Sequence, residues 1–110
     1  MSTTLKVENE IVLQGMAARG DDLSKARVVD YTAVFVDEAS ALTFAQRVQA
    51  LGYTIDIELS QAVASHPWDS VASRKMIPSL DGITDAEVSL GIIAKELNGR
   101  MDGWGCLKPD

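Results

Sequence analysis

Apolar residues recur along this chain at two periods, one helical and one extended, and the switches between them outline its elements. From about Val7 to Arg19, the pairs Val7/Ile11, Val12/Met16 and Leu13/Ala17 are spaced one helical turn apart, which predicts a helix. Gly20 is its natural stop, and Asp21, Asp22 and Ser24 are turn formers that can bind their own backbone. Arg27 to Val36 is rich in β-branched and aromatic residues and reads as a strand. Val29, Tyr31, Ala33 and Phe35 share one face; Val28, Asp30, Thr32, Val34 and Val36 share the other. Both faces are partly apolar, which suits a central strand. Asp37 is placed as an N-cap, and Ala41, Phe44, Ala45, Val48 and Leu51 form the apolar stripe of a helix ending at Gly52. Tyr53 to Ser60 alternates cleanly, with Tyr53, Ile55, Ile57 and Leu59 expected to face a covered side. Gln61 to Pro67 reads as a connection, Trp68 to Ile77 as a strand ended by Pro78. Thr84-Asp85-Ala86-Glu87 matches a capping box, which starts a helix there with Ala86, Leu90, Ile93 and Leu97 inward and Asn98-Gly99 as the stop. Arg100 to Cys106 is short and glycine-rich, a candidate edge strand.

After the first helix this order is βαββαβ. It predicts an α+β, ferredoxin-like fold: an antiparallel sheet with helices on one face, preceded by an N-terminal helix. A chain of 110 residues, 46% hydrophobic and 24% charged, fits one folded domain over residues 1–110.

Charge narrows the partners. The formal net charge is −6, with the acids spread along the chain. Nucleic-acid binding rests on neutralising phosphates with Lys and Arg, so direct RNA or DNA binding is not expected. A single cysteine cannot form an internal disulfide and fits a reducing compartment. Met1-Ser2-Thr3-Thr4 lacks the basic and apolar regions of a signal peptide, and no apolar run approaches membrane-spanning length. The expected location is the cytoplasm, with no membrane partner.

No residue pattern assembles a catalytic centre. His66 and Cys106 are the only His and Cys, and no ligand-spaced partners accompany them, so neither a metal nor another cofactor is expected. Cys106 needs an adjacent base to act as a nucleophile and reads as a packing residue. The adjacent carboxylates Asp21 and Asp22 lack further oxygen ligands at regular spacing and read as a turn, with a salt link to Lys25 or Arg27 as one option. Trp68 and Trp104 read as rings packed in the core or at the rim of the sheet. Trp104 stands between Gly103 and Gly105, which lets its ring approach a neighbouring element closely.

Two segments carry a resemblance. Gly20-Asp21-Asp22-Leu23-Ser24-Lys25-Ala26-Arg27 and the closing Asp102-Gly103-Trp104-Gly105-Cys106, with Val29-Asp30, Phe35, Phe44-Ala45, Gly52-Tyr53, Trp68, Arg74, Met76 and Pro78 between them, resemble the ribonuclease E inhibitor domain, the family of the bacterial regulator of ribonuclease E activity B. Ala26 and Met101 depart from its common residues. The resemblance implies a small ferredoxin-like domain without enzymatic activity. It implies a protein that binds the RNase E endoribonuclease, through that enzyme's non-catalytic scaffold region, and lowers its activity in RNA decay. Arg27, Trp68, Asp102, Gly103, Trp104, Gly105 and Cys106 belong to this family signature and read as structural. The expected contact groups are the Asp21/Asp22 turn and exposed acids such as Asp56 and Glu58, with the sheet face away from the helices as a second surface. The rival readings are a small-molecule-sensing regulatory domain, which a pocket of apolar groups with a few converging polar ones would favour, and an enzyme.

Overall fold

The buried face of the central strand organises the molecule. In the computed structural model, which describes residues 3–60 and 64–106, β1 (Arg27–Phe35) buries Val29, Tyr31, Ala33 and Phe35 completely. The other elements are α1 (Thr3–Ala18), α2 (Glu38–Gln49), β2 (Thr54–Leu59), β3 (Trp68–Met76), α3 (Leu80–Glu96) and β4 (Arg100–Cys106). The sheet order is β2-β3-β1-β4, and every pairing is antiparallel. This is the expected α+β, ferredoxin-like arrangement, with α2 and α3 packed on the sheet and α1 against α3.

Local chemistry accounts for most boundaries. Asp37 caps α2 by accepting from the Ser40 amide at 2.8 Å, and that bond holds its carboxyl below the usual range. Ala41, Phe44, Ala45 and Val48 are buried as expected, but α2 ends at Gln49 and Leu51 lies beyond it, exposed. At the other end of α3, Asn98 and then Gly99 turn the chain into β4, and a Cβ at Gly99 would collide with the Phe35 ring and the Val34 carbonyl. A side chain there has no space.

The structure corrects several expectations. α3 starts at Leu80, not at Thr84: Ser79 is the N-cap and accepts from the Gly82 amide at 3.0 Å. Thr84 and Glu87 lie inside the helix, buried, and bind a distant partner. α1 begins at Thr3, and its buried face is Asn9, Leu13 and Met16, while Val7 and Ile11 face solvent, Ile11 at 64% exposure. Tyr53 is buried and Ile55 and Ile57 pack against the core, but Leu59, at the far end of edge strand β2, is 62% exposed. Along β1 the second face is largely open: Val28 is exposed, whereas Val34, between Asp69 and Arg100 in register, is buried. Of the expected connection, residues 61–63 lie outside the described residues.

Candidate functional site

Register assigns the polar side chains to faces. Because side chains alternate along a strand, the residues between the buried positions of β1 point away from the helices. Asp30 pairs with Ser73, and Thr32 with Val71; Asp56 pairs with Val71 and Glu58 with Asp69 across β2 and β3. Asp56 and Glu58 are exposed, and Asp30 accepts from Ser73 Oγ at 2.6 Å. Asp102 on β4 lies close enough to Asp69 to raise its pKa; partial burial raises it more, and a hydrogen bond from Ser60 opposes both. The uncovered sheet face therefore carries Asp30, Asp56, Glu58, Asp69 and Asp102, with Lys75 and Arg100 as its cations. Like charges this close repel one another and favour a cationic partner.

The Asp21/Asp22 turn has a different geometry. Arg27 Nη1 donates to both carboxylate oxygens of Asp21 at 2.9 Å, and Nη2 donates to the Asp22 carbonyl at 2.6 Å. The two paired side chains are 2% and 6% exposed. Asp21 is thus committed inside the molecule, where it fixes the loop between α1 and β1. Asp22 is exposed and accepts from the Ser24 hydroxyl and amide, bonds that hold its carboxyl below the ordinary range.

The closing signature is a structural splice between the two ends of the fold. Tyr31 pairs with Trp104 and Ala33 with Met101, so β4 has one residue more than β1 over this interval. Gly103 absorbs the excess at φ +105°, a bulge that glycine adopts without strain. The bulge sets Trp104 on the helix side, half-buried, where its Nε1 donates to Asn9 Oδ1 at 2.8 Å. Asn9, 3% exposed, uses its amide nitrogen on Thr84 Oγ1 at 3.1 Å and Glu87 Oε1 at 2.8 Å. Burial pushes the Glu87 carboxyl up, the bond from Asn9 pulls it down, and Glu8 adds a smaller push up. Trp68 opens β3 and packs, half-buried, against the same core.

The remaining candidates do not converge. His66 shares a 2.8 Å hydrogen bond with its neighbour Ser65, in the loop before β3. Cys106 is half-buried beside Arg27 on β4; burial raises its thiol pKa more than Arg27 lowers it, which leaves it a poor nucleophile at neutral pH. Among the described residues, no group of three or more His, Cys, Asp or Glu could hold a metal ion. No described helix is long and apolar enough to cross a membrane.

A family model, regulator of ribonuclease activity B, matches residues 6–106. The chain belongs to this family. A search of individually curated proteins gives no significant match. Members of the regulator of ribonuclease activity B family are regulators of ribonuclease activity, and the matched span runs from α1 through β4. Family membership implies a protein partner.

Sequence reasoning picked out Asp56 and Glu58 but missed Asp30, Asp69 and Asp102 as their neighbours. Strand order was the missing signal: β3 and β4 are far from β1 and from each other in sequence, and only their pairing on either side of β1 brings those acids together. Asn9 was missed for a related reason. Its partners are Thr84 and Glu87, 75 and 78 positions away.

Proposed function

We propose that the protein is a non-enzymatic regulator that binds an RNase E-type endoribonuclease at its scaffold region and lowers its activity, using the uncovered acidic face of the sheet. The observation that carries this reading is the gathering of Asp30, Asp56, Glu58, Asp69 and Asp102 on the one sheet face that no helix covers. In a family of ribonuclease regulators, such a face suits a partner segment rich in Lys and Arg. Opposite charge steers the two together, and inhibition follows from occupying the enzyme's assembly surface, with no step at a reacting bond. Asp22, exposed at its turn, supplies a further acidic contact, while Asp21 holds that turn in shape through Arg27. The reading needs no metal, no cofactor, no membrane and no direct contact with RNA, and places the protein in the cytoplasm as one domain.

The test is a titration of the purified protein against the enzyme's scaffold segment and, separately, against a single-stranded RNA. Binding to the segment that weakens as salt rises, with negligible RNA affinity, is expected, since charges across about 8 Å are screened at 0.15 M. Tight RNA binding without scaffold binding would sink the proposal.

A further inference from the structure

On the helix-covered side, away from the acidic face, a cleft of about 370 Å³ opens between the end of α2, the start of β2, β3 and the first turns of α3. Leu51, Tyr53, Arg74, Gly82, Asp85, Ala86 and Ser89 line it. Its size falls in the range of small-molecule pockets, about 300–1,000 Å³, and its mix of apolar wall and a few polar groups is theirs as well.

Arg74 is the unusual member. Its guanidinium lies over the Tyr53 ring, 4.5 Å from the centroid, a cation–π contact that anchors the head group at the cleft. It forms no ion pair and donates no side-chain hydrogen bond among the described residues. Asp85 lines the same cleft, and it too forms no ion pair there; the two opposite charges stand more than an ion-pair distance apart. A guanidinium held over an aromatic ring and a separate carboxylate, with Leu51 and Ala86 as apolar wall, make a cleft with two poles. A ligand that complements both poles carries a carboxylate, an ammonium and a short apolar body.

We propose that this cleft binds a free apolar α-amino acid: Arg74 takes the carboxylate by paired N–H donors, Asp85 and Ser89 take the ammonium, and the side chain rests on Leu51 and Ala86. Binding here goes beyond the scaffold contact and uses none of its residues. It makes the domain able to report amino-acid supply.

The experiment is amide NMR of the full chain, labelled with nitrogen-15 and titrated with L-leucine, L-methionine and L-phenylalanine. Two analogues of leucine are run beside them: 4-methylpentanoate, which lacks the ammonium, and 3-methylbutylamine, which lacks the carboxylate. The expected result is saturable shifts of the Gly82, Asp85 and Ser89 amides with at least one amino acid, at a Kd of about 1 mM or below, with each leucine analogue at least about tenfold weaker than the best amino acid. Arg74→Gln abolishes the response. Asp85→Asn, at an exposed helix position that leaves the fold intact, equalises leucine and 4-methylpentanoate. No saturable shift at these amides with any of the three amino acids up to about 20 mM overturns the proposal. So does a response that survives Arg74→Gln.

Discussion

At Trp104, two flanking glycines have unlike reasons to be there. Gly103 sits at φ +105°, where a Cβ strains the backbone, while Gly105 has open space around it and no such angle. Gly103→Ala is expected to cost about 1–2 kcal/mol, and Gly105→Ala to stay within about 0.5 kcal/mol, both read from urea midpoints. Between them, Trp104→Phe keeps most of the packing and removes the donor to Asn9. It should cost about 1–3 kcal/mol because the Asn9 oxygen is then buried without a partner. If the Asn9→Ala, Trp104→Phe double variant shows no coupling energy, the hydrogen bond contributes nothing. Glu87 gives a pH signature. Burial raises its pKa above 4.5 in the folded chain, so folding favours the protonated form. The neutral carboxyl's contribution is complete below the unfolded value and is lost as pH rises through the folded one. Glu87→Gln removes this loss, so the variant's stability relative to the parent should climb as pH rises through and above the ordinary Glu range. A difference that is flat with pH would mean that the carboxyl is freely solvated.

Among the elements, β1, α2 and β2 were legible because their burial follows one period over many residues. Val29, Tyr31, Ala33 and Phe35 all end in the core, and so do Phe44 and Val48. α3 was legible in its body and misread at its start. Ser79-Leu80-Asp81-Gly82 hides a cap between a proline and a glycine, whereas Thr84 and Glu87 imitate a capping box at the right spacing. The same two side chains, with Asn9, form the polar junction of α1 and α3, and polar groups buried against each other leave no trace in an apolar pattern. The apolar pairs of α1 likewise gave no hint that Asn9 lies on its buried face beside Leu13 and Met16. The loop between α1 and β1 supplies a prediction of its own. With Arg27 and Asp21 both buried, Asp21→Ala leaves the guanidinium unpaired and should cost about 3–5 kcal/mol in a denaturation measurement. Asp22→Asn keeps the turn's acceptor and should leave the midpoint nearly unchanged. Equal, small losses at both positions would show that the Arg27 pair is solvated.

Across the whole molecule, the fold gathers acidic residues on one surface. Asn9, Thr84, Glu87 and Trp104 tie the first helix to the third helix and the last strand on the helix side of the sheet. The other side of the sheet is left uncovered and acidic. Net charge −6 announced an acidic protein, but only strand pairing revealed that one face concentrates it. The central claim is that this face holds the ribonuclease. The direct measurement is the Kd of the scaffold segment for the parent protein and for Asp56→Lys, Glu58→Lys, with thermal unfolding as a check that the exposed edge strand tolerates the change. The account predicts an unchanged fold and binding weakened at least about tenfold, equivalent to about 1.4 kcal/mol, with most of the salt dependence gone. A folded double variant that binds the segment as tightly as the parent would contradict it.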